Sequence, residues 1–377
     1  MTRVLLVTND FPPRYGGIQS YLVSLVDKLT QDYSHKIVVY APKYIGHQTN
    51  NLNCNYHIIR HPAELIVPNY TVAAYMSKLI IEYDIETVWF GNGIPLALLG
   101  ATARRAGAMR IIASTHGHEI GWAMFPVTRS VLHYIGNNTD VITFVSKYAK
   151  KQFALAFGFQ TILKYIPPGV DNEQFSIDNF SNSKLRSIYG LKSRPLVLCL
   201  SRLVPRKGQD SLIKAWPKIK SCIAEAVLII SGNGPYINTL RKLAKTNKVY
   251  SDIIFTGEIS NLDLPSYYTS VNIFAMPCRT RRAGLDVEGL GITYLEASAS
   301  SLPVIAGYSG GASETVLNGK TGYIISGNNI DGLAITIENL LDNLSKAKEM
   351  GREGRKWTLK NWQWRSSVKS LSKLLSM

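Results

Sequence analysis

The sequence predicts an α/β protein of two consecutive parallel-sheet domains with a cleft between them. Three observations carry this expectation. Short β-branched apolar runs alternate with amphipathic segments of helical period, the pattern of βαβ units. The alternation breaks at Ile166-Pro167-Pro168-Gly169-Val170-Asp171 and then restarts. The chain has 377 residues, too many for one ordinary core.

In the first domain, residues 3–8 read as a buried strand and 17–30 as an amphipathic helix. Strands are expected at Lys36 to Ala41, Thr87 to Phe90, Arg110 to Ser114 and Val141 to Val145, with helices over 71–82 and 95–106. The paired prolines and glycine at 167–169 suit a domain crossover. Beyond it, Pro195 to Ser201 is a strand and 207–220 a helix. Ala226 to Ser231, Ile253 to Thr256, Ile273 to Met276 and Pro303 to Ala306 follow as strands. The expected division is 1–168 and 169–357, with a C-terminal helix over 358–377 packing back on the first domain.

Composition narrows the class. Charged residues are 18% and hydrophobic residues 46%, which fits a folded globular chain rather than a disordered one. The opening apolar run is too short for a signal-peptide core or a membrane span. Cys54, Cys199, Cys222 and Cys278 form no Cys-x-x-Cys pair and point to a reducing cytoplasm. The net charge of +16 favours an anionic partner. The cations are scattered without a basic tail, so nucleic acid is not expected.

The motifs fall just after expected strands, where ligands of parallel sheets sit. Gly16-Gly17 open a helix and let backbone approach a phosphate; a tight strand-to-helix turn is an equal reading. The segment does not fit Gly-x-Gly-x-x-Gly, which counts against a dinucleotide-binding dehydrogenase. His116 and His118, with Glu119 beside them, are weak as a metal site and fit better as hydrogen-bonding partners of a sugar. Arg202 and Lys207 can converge on a diphosphate, a fork and a point charge together. Gly232-Asn233-Gly234-Pro235 and the loop through Ile259 suit the wall of a nucleotide base. Glu288 and Glu296 flank Gly289-Leu290-Gly291-Ile292, a helix start that suits a phosphate. Eight residues of helix would separate the two carboxylates by ~12 Å. In isolation the pair also reads as a helix-end charge and a surface glutamate.

These residues, in this order over nearly the whole chain, resemble the retaining glycosyltransferases of family four. That resemblance implies the GT-B fold, two Rossmann-like domains facing a central cleft. The strings Val7-Thr8-Asn9-Asp10-Phe11-Pro12-Pro13-Arg14, Thr115-His116-Gly117-His118-Glu119 and Gly284-Leu285-Asp286-Val287-Glu288-Gly289-Leu290-Gly291 are similar to a narrower group. Its actinobacterial members move mannose from GDP-mannose to a phosphatidylinositol monomannoside through an α-1,6 link.

The resemblance implies roles. Gly16 and Gly17 would lie near the donor diphosphate, which Arg202 and Lys207 would bind. Glu288 would hold mannose hydroxyls, aided by the backbone of Gly289, Leu290, Gly291 and Ile292. Glu296 would take the ribose hydroxyls, Ile259 and Gly232 would border the base, and His116 or His118 would contact the sugar. The catalytic candidates are thus His116, His118 and Glu288. No metal or other cofactor is implied. The lipid acceptor implies peripheral association with the inner face of the cytoplasmic membrane, through the segment Tyr75 to Lys78 or the basic stretch Lys147 to Lys151. A family-four enzyme with another donor or a soluble acceptor, or a non-catalytic binding protein on the same scaffold, are the alternatives. Two departures stand out: Arg281-Arg282-Ala283 where relatives are often glycine-rich, and Ser301 where they usually carry glycine.

Overall fold

A computed structural model describes residues 1–14, 16–44, 54–117, 119–158, 160–176 and 184–376. The chain divides into two compact units, Met1–Pro168 with Trp364–Met377, and Gly169–Gln363. Each unit is built on its own parallel sheet.

In the first unit β1 (Arg3–Val7) leads through a turn into α1 (Gly17–Tyr33). β2 (Lys36–Pro42), β3 (His57–His61), α2 (Tyr70–Glu82) and β4 (Thr87–Phe90) follow. Short helices α3 (Gly93–Leu96) and α4 (Gly100–Arg105) precede β5 (Arg110–Thr115), α5 (Pro126–Asn137), β6 (Val141–Phe144), α6 (Lys147–Phe153) and β7 (Ile162–Tyr165). The strands lie in the order β3-β2-β1-β4-β5-β6-β7. Val4, Leu5, Leu6 and Val7 are fully buried because helices cover both faces of a parallel sheet. That is why β1 reads as a continuous apolar run.

The helix expected over 95–106 is broken into α3, a 3-10 turn at Ala97–Leu99, and α4. Ile94 has extended backbone angles inside α3. A Cβ on Gly100 would stand 2.5 Å from the Asn138 carbonyl oxygen, so this stretch is shaped by close backbone packing rather than by a regular apolar stripe.

The second unit runs α7 (Lys184–Ile188), β8 (Leu196–Leu200), α8 (Gln209–Cys222), β9 (Val227–Ser231), α9 (Ile237–Thr246), β10 (Ile253–Gly257), α10 (Leu264–Ser270) and β11 (Ile273–Met276). It ends with α11 (Ile292–Ala299), β12 (Val304–Gly307), β13 (Gly322–Ile325), α12 (Ile330–Asp342) and α13 (Leu344–Asn361). The strand order is β10-β9-β8-β11-β12-β13. The order reverses direction at β8 and β11, the place where parallel sheets open a crevice for ligands.

The last helix, α14 (Trp364–Ser376), starts later than the expected 358. Residues 358–361 belong to α13, whose buried Gly351, Gly354 and Thr358 face the second unit. In α14, Val368, Leu371, Leu374 and Leu375 are buried, and Ser367 Oγ donates to the Pro167 carbonyl at 2.6 Å. Two apolar stripes with different partners cannot share one straight helix. The chain breaks at Trp362, which is buried against Trp357.

Candidate active site

The loop after β8 ends in a single 3-10 turn, Pro205–Lys207, and Gly208 then starts α8 with φ of 80°. A Cβ on Gly208 would lie 2.2 Å from the Pro277 carbonyl oxygen. Only glycine lets this turn rest on the loop after β11. The contact brings Lys207 to Glu288, with Nζ 2.7 Å from Oε2. Arg206 Nε stands 3.7 Å from that oxygen and 3.7 Å from Asp286 Oδ1.

Lys207 and Glu288 are both buried. Burial opposes ionisation of Glu288, yet Lys207 and Arg206, with hydrogen bonds from Lys207 and the Cys278 thiol, hold its carboxyl below the ordinary value. The Cys278 thiol is pushed up to about 12, first by burial and then by Glu288. It therefore stays protonated and points at Glu288 Oε2 from 3.6 Å. Tyr294 anchors this floor, donating to the Met276 carbonyl at 2.5 Å. Nearby, Arg279 Nη2 donates to both Asp210 carboxylate oxygens, at 2.9 and 2.8 Å, and Arg281 meets Asp286 at 3.7 Å. The ion pairs here join Arg206, Lys207, Arg279 and Arg281 to Asp210, Asp286 and Glu288. The excess is one positive charge.

The backbone of Glu288 is fixed as firmly as its side chain. Its N–H donates to Ser309 Oγ at 3.1 Å, and its carbonyl accepts from Gly311 N–H at 3.0 Å. Beyond Gly289 and Leu290, Gly291 forms the N-cap of α11 with φ of 86°. The helix has no side-chain cap and no acidic residue in its first turn. Its leading amides thus present partial positive charge close to Glu288. The regular helix starts only at Ile292, so the ~12 Å expected for eight helical residues does not apply. Glu288 lies on the loop and Glu296 on the helix.

Glu296 is partly buried and accepts from Tyr268 Oη at 2.7 Å. Burial pushes its carboxyl up to about 7, against the lowering effect of that hydrogen bond. Tyr268 is fully buried, and its own ionisation is shifted upward by burial and by Glu296, so it remains a donor.

Arg202 begins the same loop and is exposed; among the described residues it forms no ion pair. Its guanidinium is open to an anion. The structure brings Arg206, rather than Arg202, into the Glu288 cluster. The sequence signal for Arg206 was only its place beside Lys207: consecutive residues of a 3-10 turn point about 120° apart, and it is the length of both side chains that lets them reach Glu288. Cys278 and Tyr268 had no such signal, because only the fold brings them to the carboxylates. Gly232 has φ of 121°, its N–H donates to Gly257 O at 2.7 Å, and a Cβ would lie 2.1 Å from Ser201 O. Its part is to let the β9 loop close on the β8 loop. Ile259 is half-buried in the loop after β10.

In the first unit Gly16 caps α1, which also lacks a side-chain cap and an acidic first turn. A Cβ on Gly16 would meet only the flexible end of Gln19. The chain's own packing therefore does not demand glycine there. Gly17 is the first helical residue. His116 is buried, with Nε2 2.6 Å from the Gly91 carbonyl, which can only accept, so Nε2 carries the proton. His118 lies outside the described residues.

Comparison with known proteins places this arrangement. A family described as glycosyltransferase family 4 matches residues 15–174, and glycosyl transferases group 1 matches 181–357. A GDP-mannose-dependent alpha-(1-6)-phosphatidylinositol monomannoside mannosyltransferase of Mycolicibacterium smegmatis is 52% identical, over 99% of this chain and 98% of its own. The chain belongs to the family-four glycosyltransferases. A GDP-mannose-dependent monoacylated alpha-(1-6)-phosphatidylinositol monomannoside mannosyltransferase of Corynebacterium glutamicum is 43% identical to this glycosyltransferase, over 99% and 97% of the two chains. Sucrose-phosphate synthase from Thermosynechococcus elongatus shares the fold, with a TM-score of 0.83 at 18% identity over 99% and 98% of the two chains. The two parallel-sheet units are the Rossmann-like domains of the GT-B class.

Proposed function

We propose that the protein is a retaining mannosyltransferase that moves mannose from GDP-mannose to a phosphatidylinositol monomannoside, forming an α-1,6 link. The full-length identity to the Mycolicibacterium smegmatis enzyme carries this reading. The buried Lys207–Glu288 pair beside an uncapped helix start supports it. Lys207, Arg202 and the leading amides of α11 would neutralise the diphosphate as its charge develops. Glu288, kept ionised by Lys207 and Arg206, would accept from mannose hydroxyls, and Glu296 from the ribose. His116 and His118 are the proposed sugar contacts of the first unit, where Gly16 and Gly17 leave room for backbone to approach phosphate. The reading includes transfer without a resident metal, so EDTA is expected to leave the rate unchanged.

No described helix is long and apolar enough to cross a membrane. With a lipid acceptor, the protein would act peripherally at the inner face of the cytoplasmic membrane. The decisive experiment incubates the protein with radiolabelled GDP-mannose or UDP-glucose, with and without phosphatidylinositol monomannoside, and identifies the lipid product. Labelled dimannoside from GDP-mannose alone is expected. Labelling from UDP-glucose, or nucleotide binding without acceptor-dependent GDP release, refutes the reading.

A further inference from the structure

One face of the first unit gathers large exposed apolar side chains around an open groove. The Glu119 carboxylate accepts from the His116 backbone N–H at 3.1 Å and pins the loop after β5. A 3-10 turn, Ile120–Ala123, then delivers Met124 and Phe125 to solvent at the start of α5. Phe125 is 53% exposed, Val127 79% and Leu155 66%. Met124, Phe125, Pro126 and Leu155 line an open groove of about 450 Å3, and Arg129 and His133 also border it.

The charge carried by this stretch of the chain is almost all positive. From Ile120 to Val170 the sequence holds a single acid, Asp140, which Arg104 engages at 2.8 Å. The same stretch holds Arg129, Lys147, Lys150, Lys151 and Lys164. α6, with exposed Lys150 and Lys151, packs beside the 120–123 turn, and Leu155 lies just beyond its end. Apolar side chains set among cations, with the one acid of the stretch held by Arg104, match the boundary between lipid phosphates and acyl chains.

We propose that this face docks the protein on an anionic phospholipid surface. Phe125, Val127 and Leu155 enter the interface, and Arg129, Lys150 and Lys151 lie over lipid phosphates. The inference deepens the reading above and rests on the acceptor being a lipid. It places docking on the Met124–Arg129 segment and the exposed flank of α6. The alternative face on α2 also exposes apolar side chains, among them Tyr70 and Ile81, but from Tyr70 to Asp84 its one cation, Lys78, is outnumbered by the exposed acids Glu82 and Asp84. The docking face also follows directly on the His116 loop, so it would hold a lipid headgroup near the carboxyl ends of the strands of this unit.

The test is flotation of the full chain with vesicles of phosphatidylcholine containing phosphatidylinositol, against phosphatidylcholine alone. The variants are Phe125→Ser/Val127→Ser, Arg129→Gln/Lys150→Gln/Lys151→Gln, and Tyr75→Ser/Lys78→Gln as the α2 control. Each of the first two is expected to weaken partitioning onto the anionic vesicles about tenfold or more, and the control less than twofold. Unchanged GDP affinity certifies that the variants are folded. Transfer to a deacylated, water-soluble acceptor reads the function itself and is expected to be the same in all of them. Partitioning that survives the first two variants, or falls only in the control, overturns the assignment. Wild-type protein that ignores vesicles but changes molecular mass when Phe125 and Val127 are replaced overturns it too, in favour of a protein partner.

Discussion

The proposed contact of Glu296 with the ribose predicts that nucleotide binding depends on pH in one direction. Burial raises its carboxyl to about 7 in the free site. At the proposed contact, ribose hydroxyls would donate to the ionised carboxylate and favour that form, which would lower its pKa in the complex. On this reading, binding releases a proton at this position. Affinity is full above pH 7 and falls as pH drops below it, until the lower pKa of the complex is reached. At pH 5.5, a group with a pKa of about 7 is ionised in roughly one molecule in 30, so binding weakens ~30-fold, or ~2 kcal/mol, from its alkaline plateau. GDP-mannose is the ligand to use, because its diphosphate diester does not titrate in this range. Calorimetry of GDP-mannose binding between pH 8.5 and 5.5 in buffers of different ionisation enthalpy reads both the affinity and the proton. Glu296→Gln should bind more weakly at pH 8.5 and lose the slope. The stability of the free unit should move oppositely: its raised carboxyl pKa means stability gained as pH falls from 7 toward the ordinary carboxylate value. A wild-type affinity that is flat from pH 8.5 to 5.5, or a slope that persists in Glu296→Gln, refutes the reasoning.

Other outcomes follow from the same geometry. Lys207→Met leaves Glu288 buried with Arg206 3.7 Å away, so the second unit should lose ~3 kcal/mol in denaturant unfolding at pH 7. The sign of the pH dependence should also change: Glu288 stabilises the native protein above its ordinary pKa, and in the variant stability should rise as pH falls. Ser301 has φ of 58°, a left-handed conformation that costs a side-chain-bearing residue ~1–2 kcal/mol. Allowing for the extra freedom of glycine when unfolded, Ser301→Gly should stabilise the protein by ~0.5–1 kcal/mol, about 2 °C in a thermal melt. Cys222 is exposed while Cys199 and Cys278 are buried with raised pKa values. Iodoacetamide on the native protein at pH 8 should therefore label Cys222, and mass spectrometry should find Cys199 and Cys278 unmodified until denaturant is added.

The legible parts of the sequence were those where burial is the whole story. Thr87–Phe90 and Ile273–Met276 begin and end where their apolar runs do, because both faces of an interior parallel strand are covered. β3, at the edge of its sheet, is His-Ile-Ile-Arg-His with every residue at least partly exposed, and gives no such run. β13, also an edge strand, is half-exposed over most of its length. The site divides in the same way. Lys207, Glu288 and Glu296 were legible because a charged residue beside a strand end or inside an apolar segment needs a partner or a ligand. Their partners were not, because Glu288 meets Cys278 and Tyr268 meets Glu296 across 10 and 28 residues through turns that single glycines permit. Gly208 shows how that works. Its positive φ and the absence of a Cβ seat the 205–207 turn on Pro277, and that seating delivers both Arg206 and Lys207 to one carboxylate. A side chain at 208 would leave every charged residue in place in the sequence and separate the ion pair, so the electrostatics of the site depend on a residue that carries no charge.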